Sequence, residues 1–308
     1  MLLTKTVRHG RLMWNSVPSE RSGNGQLSPG RHAIIAWQRP GVQRDRKGIQ
    51  AMPISSTPFL VAIELGFVAV LAWRCGHLAR EPYKLWSVYI YLAWVTAYGV
   101  ITSILGARGF YVSEDLLEWL PGFWLQLISV AVCVGPVVLF AGLRNGLRRI
   151  VDTTPWHWFA YFHGLRIAAL GTAYKTVTGE FPAYFEILVG IPDLLFGLSA
   201  FWIAGKAKRG EISEKGFMVW NLVGALVIVP AAPILLQLGL PGPVQVFTGL
   251  PDARAVFTYP MSIAAVIGVP LFVLINLWVA WRLWERSRIG AEAITPPANS
   301  TTEFLKPE

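Results

Sequence analysis

Seven apolar stretches divide the chain between Thr57 and Trp284, each long enough to cross ~30 Å of hydrocarbon at ~1.5 Å per helical residue. Hydrocarbon cannot satisfy open backbone N–H and C=O groups, so stretches of this kind fold as helices. The sequence therefore predicts an all-α, polytopic membrane protein with seven transmembrane helices. The predicted spans are Thr57–Trp73, Leu85–Gly106, Trp119–Leu143, Trp156–Tyr174, Phe181–Gly205, Phe217–Leu238 and Phe257–Trp281. Composition agrees: 15% of residues are charged, where a soluble domain carries about a quarter. Fourteen Trp and nine Tyr suit anchoring at the headgroup level.

The loops alternate in charge. Arg74, Arg80 and Lys84 follow the first span; Arg144, Arg148 and Arg149 follow the third; Lys206, Lys208, Arg209 and Lys215 follow the fifth; Arg282, Arg286 and Arg288 follow the seventh. The opposite loops hold one basic residue each, Arg108, Lys175 and Arg254. The positive-inside rule then places the amino end of the first span outside and the carboxyl tail, residues 285–308, in the cytoplasm. The expected location is the inner (plasma) membrane of a bacterium, as a multi-pass protein, with the lipid bilayer as its principal partner.

Residues 1–51 break this pattern. They carry nine Lys or Arg against Glu20 and Asp45; without them, 27 basic and 18 acidic residues become 18 and 16, and the net charge falls from +9 to +2. A start at Met52 would put an uncharged Met-Pro-Ile-Ser-Ser-Thr-Pro ahead of the first span, so the segment reads as a disordered basic leader outside the native product. An organelle transit peptide and a nucleic-acid-binding arm are the alternatives. The reading taken for the whole chain includes no nucleic-acid partner. Oligomeric state is not encoded in any pattern found, and the transmembrane domain is expected over 52–284.

The unusual chemistry lies in the fourth and fifth spans, because ionisable groups inside hydrocarbon are costly and turn toward the bundle to pair. His163 and Arg166 are three apart on one helical face; Glu186 and Asp193 are seven apart on another, in a stripe with Gly190 and Gly197. Small residues there would let a neighbouring helix pack closely. Counted from the loop joining the two spans, Arg166 lies about eight residues deep and Asp193 about eleven, which predicts a buried Arg166–Asp193 pair. Pro192 cannot donate to the Leu188 carbonyl, an acceptor that Arg166 could also satisfy. Glu64, about seven residues into the first span, lies near the depth of Glu186 and is expected to snorkel outward, although two carboxyls at one level could hold a cation. The candidate centre is thus Arg166, Asp193, His163, Glu186 and Glu64, with Gly190 and Gly197 for helix packing.

Other groups offer less. Asn221 and Asn276 are expected to hydrogen-bond across helices. Cys75 and Cys133 sit at different depths, so no disulfide is expected. His77 and His157 share an inner depth without any haem motif, so neither a cofactor nor a metal is expected. The last span lacks the lysine of a retinal protein. The third span ends Ala141-Gly-Leu-Arg144, unlike a G-protein-coupled receptor, and Asp193 is the one membrane aspartate where an aspartyl protease needs two. Histidine-box and zinc chemistry lack their clusters, and about twenty-five tail residues leave no room for an output kinase domain.

The runs Arg166-x4-Gly171, Gly179-x2-Pro182-x2-Phe185 and Gly190-x2-Asp193-x3-Gly197, followed by Trp220-Asn221-x2-Gly224 and a last span containing proline, resemble a family of uncharacterised bacterial multi-span membrane proteins. The resemblance covers about residues 156–282, departs from the family pattern at Ala225 to Val227 and at Asn276, and implies no activity. The expectation is an integral membrane protein that binds or transports a small ligand or ion around Arg166 and Asp193. The alternatives are an accessory subunit of a membrane complex whose charged pair serves folding, and, less favoured, an enzyme using Glu186 or Asp193 as a base.

Overall fold

The computed structural model describes residues 56–79, 85–119 and 123–294; the basic leader, Arg80, Lys84 and the end of the tail lie outside them. Among the described residues there is no strand. The helices are α1 (Thr57–Ala79), α2 (Trp86–Ala107), α3 (Glu114–Trp119), α4 (Phe123–Leu139), α5 (Ala141–Thr153), α6 (Trp156–Gly164), α7 (Leu170–Val177), α8 (Ala183–Phe185), α9 (Ile191–Lys208), α10 (Glu214–Leu226), α11 (Ala231–Gly239), α12 (Arg254–Phe257), α13 (Met261–Ile263) and α14 (Val269–Ile294). Residues 165–169 join α6 to α7 as a 3₁₀ turn, while 186–190 and 264–268 lead into α9 and α14 as π turns.

Five described segments are long and apolar enough to cross a membrane: Thr57–Leu78, Trp86–Ala107, Ala183–Lys208, Glu214–Gly239 and Met261–Ile289. A sixth is added if α4 and α5, which meet at 92°, count as one. The predicted third span thus ends earlier than Leu143. Phe140 adopts an extended backbone and α5 turns away, its buried residues Leu143, Gly146, Ile150 and Val151 forming one helical stripe. The Arg144 guanidinium donates back to the carbonyls of Val137 and Val138, capping the open end of α4. The predicted fourth span is helical from Trp156 to Val177, but His157, His163, Arg166 and Lys175 make it less apolar than the others. At the carboxyl end, α14 continues to Ile294, so the expected tail begins as helix.

The core forms around α14. Its segment buries 72% of its most apolar window, against 28–39% for the other four. Helix α6 and the 3₁₀ turn pack along α9, α7 packs against the π turn that precedes α9, and α10 packs along α14. Both ends of the α9 hairpin are closed by glycine in the left-handed region: Gly179 (φ 75°) after α7 and Gly210 (φ 70°) after α9. In each, the N–H of the next residue reaches back to close the turn, Glu180 to the Lys175 carbonyl at 2.8 Å and Glu211 to that of Lys206 at 2.9 Å. Ser213 then caps α10 by accepting from the Gly216 N–H at 3.1 Å. Ser213→Ala should lower stability by about 1 kcal/mol, read as a fall in thermal midpoint of the detergent-purified protein. An unchanged midpoint would show that α10 does not depend on this cap.

One end of the bundle concentrates cations over aromatic rings. Arg74 lies over Trp158 at 5.4 Å, Lys206 over Trp202 at 4.0 Å, Lys208 over Tyr161 at 5.0 Å and Arg288 over Trp284 at 5.0 Å. An ion network joins α5 to α14 there: Arg148 to Glu285 at 2.8 Å, and Arg282 to Asp152 and Glu285 at 2.7 Å each.

The two π turns share a local cause. Both end in the same kind of triplet, Gly190-Ile191-Pro192 and Gly268-Val269-Pro270. A proline one turn into a helix has no N–H to donate, and its ring clashes with the carbonyl four residues back. The chain relieves that clash by widening one turn: Ile191 donates to Glu186, and Val269 to Ala264, each five residues back. Both widened turns border the same cavity.

Candidate functional site

Arg166 projects from the 3₁₀ turn and is 1% exposed. Its Nη1 donates to Asp193 Oδ1 at 2.9 Å, so the pair predicted from helix depth forms. The same nitrogen donates to the Gly224 carbonyl of α10, also at 2.9 Å, rather than to the Leu188 carbonyl beside Pro192. The guanidinium lies between two rings, 4.8 Å from the centre of Phe196 on α9 and 5.0 Å from that of Phe272 on α14. Cation–π attraction supplements the ion pair where water is excluded. The Arg166 Nε and Nη2 hydrogens have no acceptor among the described residues.

Gly197 explains how the helices come this close. A Cβ there would stand 3.0 Å from Arg166 Cβ and 3.1 Å from both the Arg166 carbonyl carbon and the Ile167 nitrogen. Gly197 is thus a point of close packing between α9 and the Arg166 turn. Gly190 is not: its open side is covered by the carboxyl of Glu186 from its own helix.

A cavity of about 180 Å³ extends from Arg166 toward the start of α1 and the turn after α7. Glu64, Arg166, Glu186 and Asp193 all line it, contributed by α1, by the 3₁₀ turn and by the continuous Ala183–Lys208 segment. The expectation that Glu64 snorkels outward is overturned. It is fully buried, its oxygens lie against Gly268 of the π turn before α14, and neither has a hydrogen-bond partner among the described residues. Gly268 leaves room for it; a Cβ would come within 3.3 Å of Oε1. Glu64 lies within electrostatic reach of both Arg166 and Asp193. Glu186 is 3% exposed; the neighbouring Thr172 hydroxyl interacts with its carboxyl but donates to the Ala169 carbonyl at 2.8 Å, and neither Glu186 oxygen has a well-formed hydrogen bond among the described residues. Gln126 of α4 adds an unpartnered amide nitrogen to the lining. Most of the remaining wall is apolar and partly aromatic, including Leu60, Phe181, Phe185 and Val269, with Ser56, Thr57, Thr172 and Lys175 as its polar members.

His163 does not join this lining. It is fully buried on the other side of Arg166, enclosed by Phe162, Phe196, Trp220 and Phe272 at ring distances of 5.3 to 6.0 Å. Asn221 donates to the Phe217 carbonyl of its own helix at 2.9 Å instead of bonding across helices, and the Asn276 amide has no partner among the described residues. Cys75 and Cys133 are free thiols. His77 stacks on Trp73, and His157 lies against Trp158 and Tyr161. Sequence reasoning misses the Gly224 carbonyl, the Phe196–Phe272 sandwich, Gln126 and the Gly268 contact. The repeated Gly-x-Pro triplet is the legible signal for the last of these.

Compared with known proteins, the chain belongs to the family defined by a domain of unknown function, DUF8737, which matches residues 122–284. The match contains Arg166, Glu186, Asp193 and Gly224, whereas Glu64 lies ahead of it. No curated protein and no solved structure matches the chain.

Proposed function

We propose that this is a bacterial inner-membrane protein of seven crossings, with the amino end of α1 outside, that holds a small ligand or ion in the cavity beside Arg166. The observation that carries the ligand reading is the convergence of Glu64, Arg166, Glu186 and Asp193 on one small cavity in which neither glutamate has a well-formed hydrogen bond among the described residues. Buried ionisable groups that serve packing alone are paired; groups left open toward a cavity mark a binding place or pathway. Extraction of small molecules from the mildly purified protein should recover a species at stoichiometric yield. It should be lost from the Glu64→Gln, Glu186→Gln double variant. Recovery of nothing from the native protein, together with a more stable double variant, would favour the accessory-subunit reading, in which the Arg166–Asp193–Gly224 contacts only lock three helices together.

The orientation rests on the alternating loop charges. The basic and aromatic end of the bundle, with amphipathic α5 turned sharply beside it, has the character of a cytoplasmic interface. A reporter active only in the cytoplasm should work when fused after Arg288 or within Lys206 to Lys215, and stay silent after Arg254. The reverse pattern would overturn the orientation.

A further inference from the structure

We infer that the cavity recognises a small organic ammonium compound, an inference that rests on the ligand reading above. Asp193 already neutralises Arg166 through their 2.9 Å contact, which leaves Glu64 and Glu186 as two buried carboxyl groups without well-formed hydrogen bonds in the same space. An ammonium ligand would hold the open Glu64 and Glu186 carboxyls in their ionised form, as a neighbouring opposite charge does, whereas an anion would meet them as neutral acids beside a guanidinium already paired with Asp193. Lys175, the other cation in the lining, is nine residues from Arg166, ~13 Å away at helical rise, toward the turn after α7.

A bare metal ion fits poorly. Among the described residues, no three His, Cys, Asp or Glu side chains are grouped closely enough to hold one. Most of the rest of the wall suits an apolar body, with Leu60, Val269 and the edge-on Phe181–Phe185 pair, whose ring centres are 5.8 Å apart. Aromatic faces and carboxylates together are the chemistry that selects an alkylated or arylated ammonium over a hydrated ion. The size agrees, since a cavity of ~150 Å³ suffices for benzene and this one is about 180 Å³. The ammonium head would lie at the Glu64 carboxyl, with the apolar body directed toward Phe181 and Phe185.

The test uses the full chain in detergent with four probes: phenethylammonium chloride, the uncharged isostere 2-phenylethanol, phenylacetate and sodium chloride. Binding is read by tryptophan fluorescence and by the thermal midpoint. Phenethylammonium should bind saturably and raise the midpoint, with 2-phenylethanol roughly tenfold weaker or worse and phenylacetate and sodium without specific effect. Glu64→Gln should weaken phenethylammonium by about tenfold while leaving 2-phenylethanol unchanged, a selectivity that general loss of folding cannot produce. Equal binding of amine and alcohol, or preference for phenylacetate or sodium, would overturn the ammonium class yet leave a ligand cavity. Indifference of phenethylammonium affinity to Glu64→Gln would overturn the carboxylate recognition. Failure of all four probes to bind, when extraction of the native protein still yields a stoichiometric molecule, would also overturn the ammonium class. Failure of both experiments would remove the ligand reading itself.

Discussion

Arg166→Met is expected to destabilise the protein by about 3–5 kcal/mol, because it strands Asp193 and the Gly224 carbonyl while the rings of Phe196 and Phe272 lose the cation between them. Asp193→Leu should cost a similar amount, since it leaves a buried guanidinium whose remaining partner is one carbonyl. The double variant Arg166→Met, Asp193→Leu should recover most of that loss: two apolar side chains of comparable volume carry no desolvation penalty. Thermal midpoints and yields of folded protein in detergent give the three comparisons. If both singles match the native protein, the pair contributes nothing to the fold. If the double variant folds but no longer retains the extracted ligand, the pair serves binding beyond its packing role.

The Arg166–Asp193 pair is legible in the sequence because helix geometry is arithmetic. Two antiparallel helices joined by a short turn bring equal depths together, and a charged residue in an apolar run has few places to go. Glu64 is harder. Its depth can be counted, but whether its face turns to lipid or to the bundle depends on which element packs behind it. That element is the Gly268 turn before α14, far along the chain. His163 fails for the opposite reason: three-residue spacing puts it on the face of Arg166, but the tight 3₁₀ turn begins between them at Leu165. Hydropathy also carries the third span too far, since Phe140 to Leu143 are as apolar as the helix they follow. What ends α4 is a backbone break and the Arg144 cap, neither of which hydropathy measures.

Gly197→Val is expected to be strongly damaging although the residue carries no functional group. The new Cβ would press on the Arg166 Cβ and on the backbone at Arg166 and Ile167, at 3.0 to 3.1 Å, and backbone cannot rotate aside as a side-chain tip can. The helices would have to separate, at a cost of about 1–3 kcal/mol for overpacking. Asp193 lies one turn earlier on the same helix, so the separation would also draw its carboxylate away from Arg166 and add part of the ion-pair loss. Two other glycines calibrate the effect. At Gly190 the nearest atoms to a Cβ are those of the flexible carboxyl end of Glu186, so Gly190→Ala should cost less and act mainly on the cavity. At Gly66, inside α1, nothing lies within 4 Å, so Gly66→Ala should be neutral or stabilise by ~0.5–1 kcal/mol through helix propensity. Thermal midpoints ranked Gly66→Ala, Gly190→Ala, Gly197→Val from highest to lowest are the expected outcome. A Gly197→Val protein as stable as the native one would mean that α9 does not rest on the Arg166 turn, and the cavity built from that contact would lose its floor.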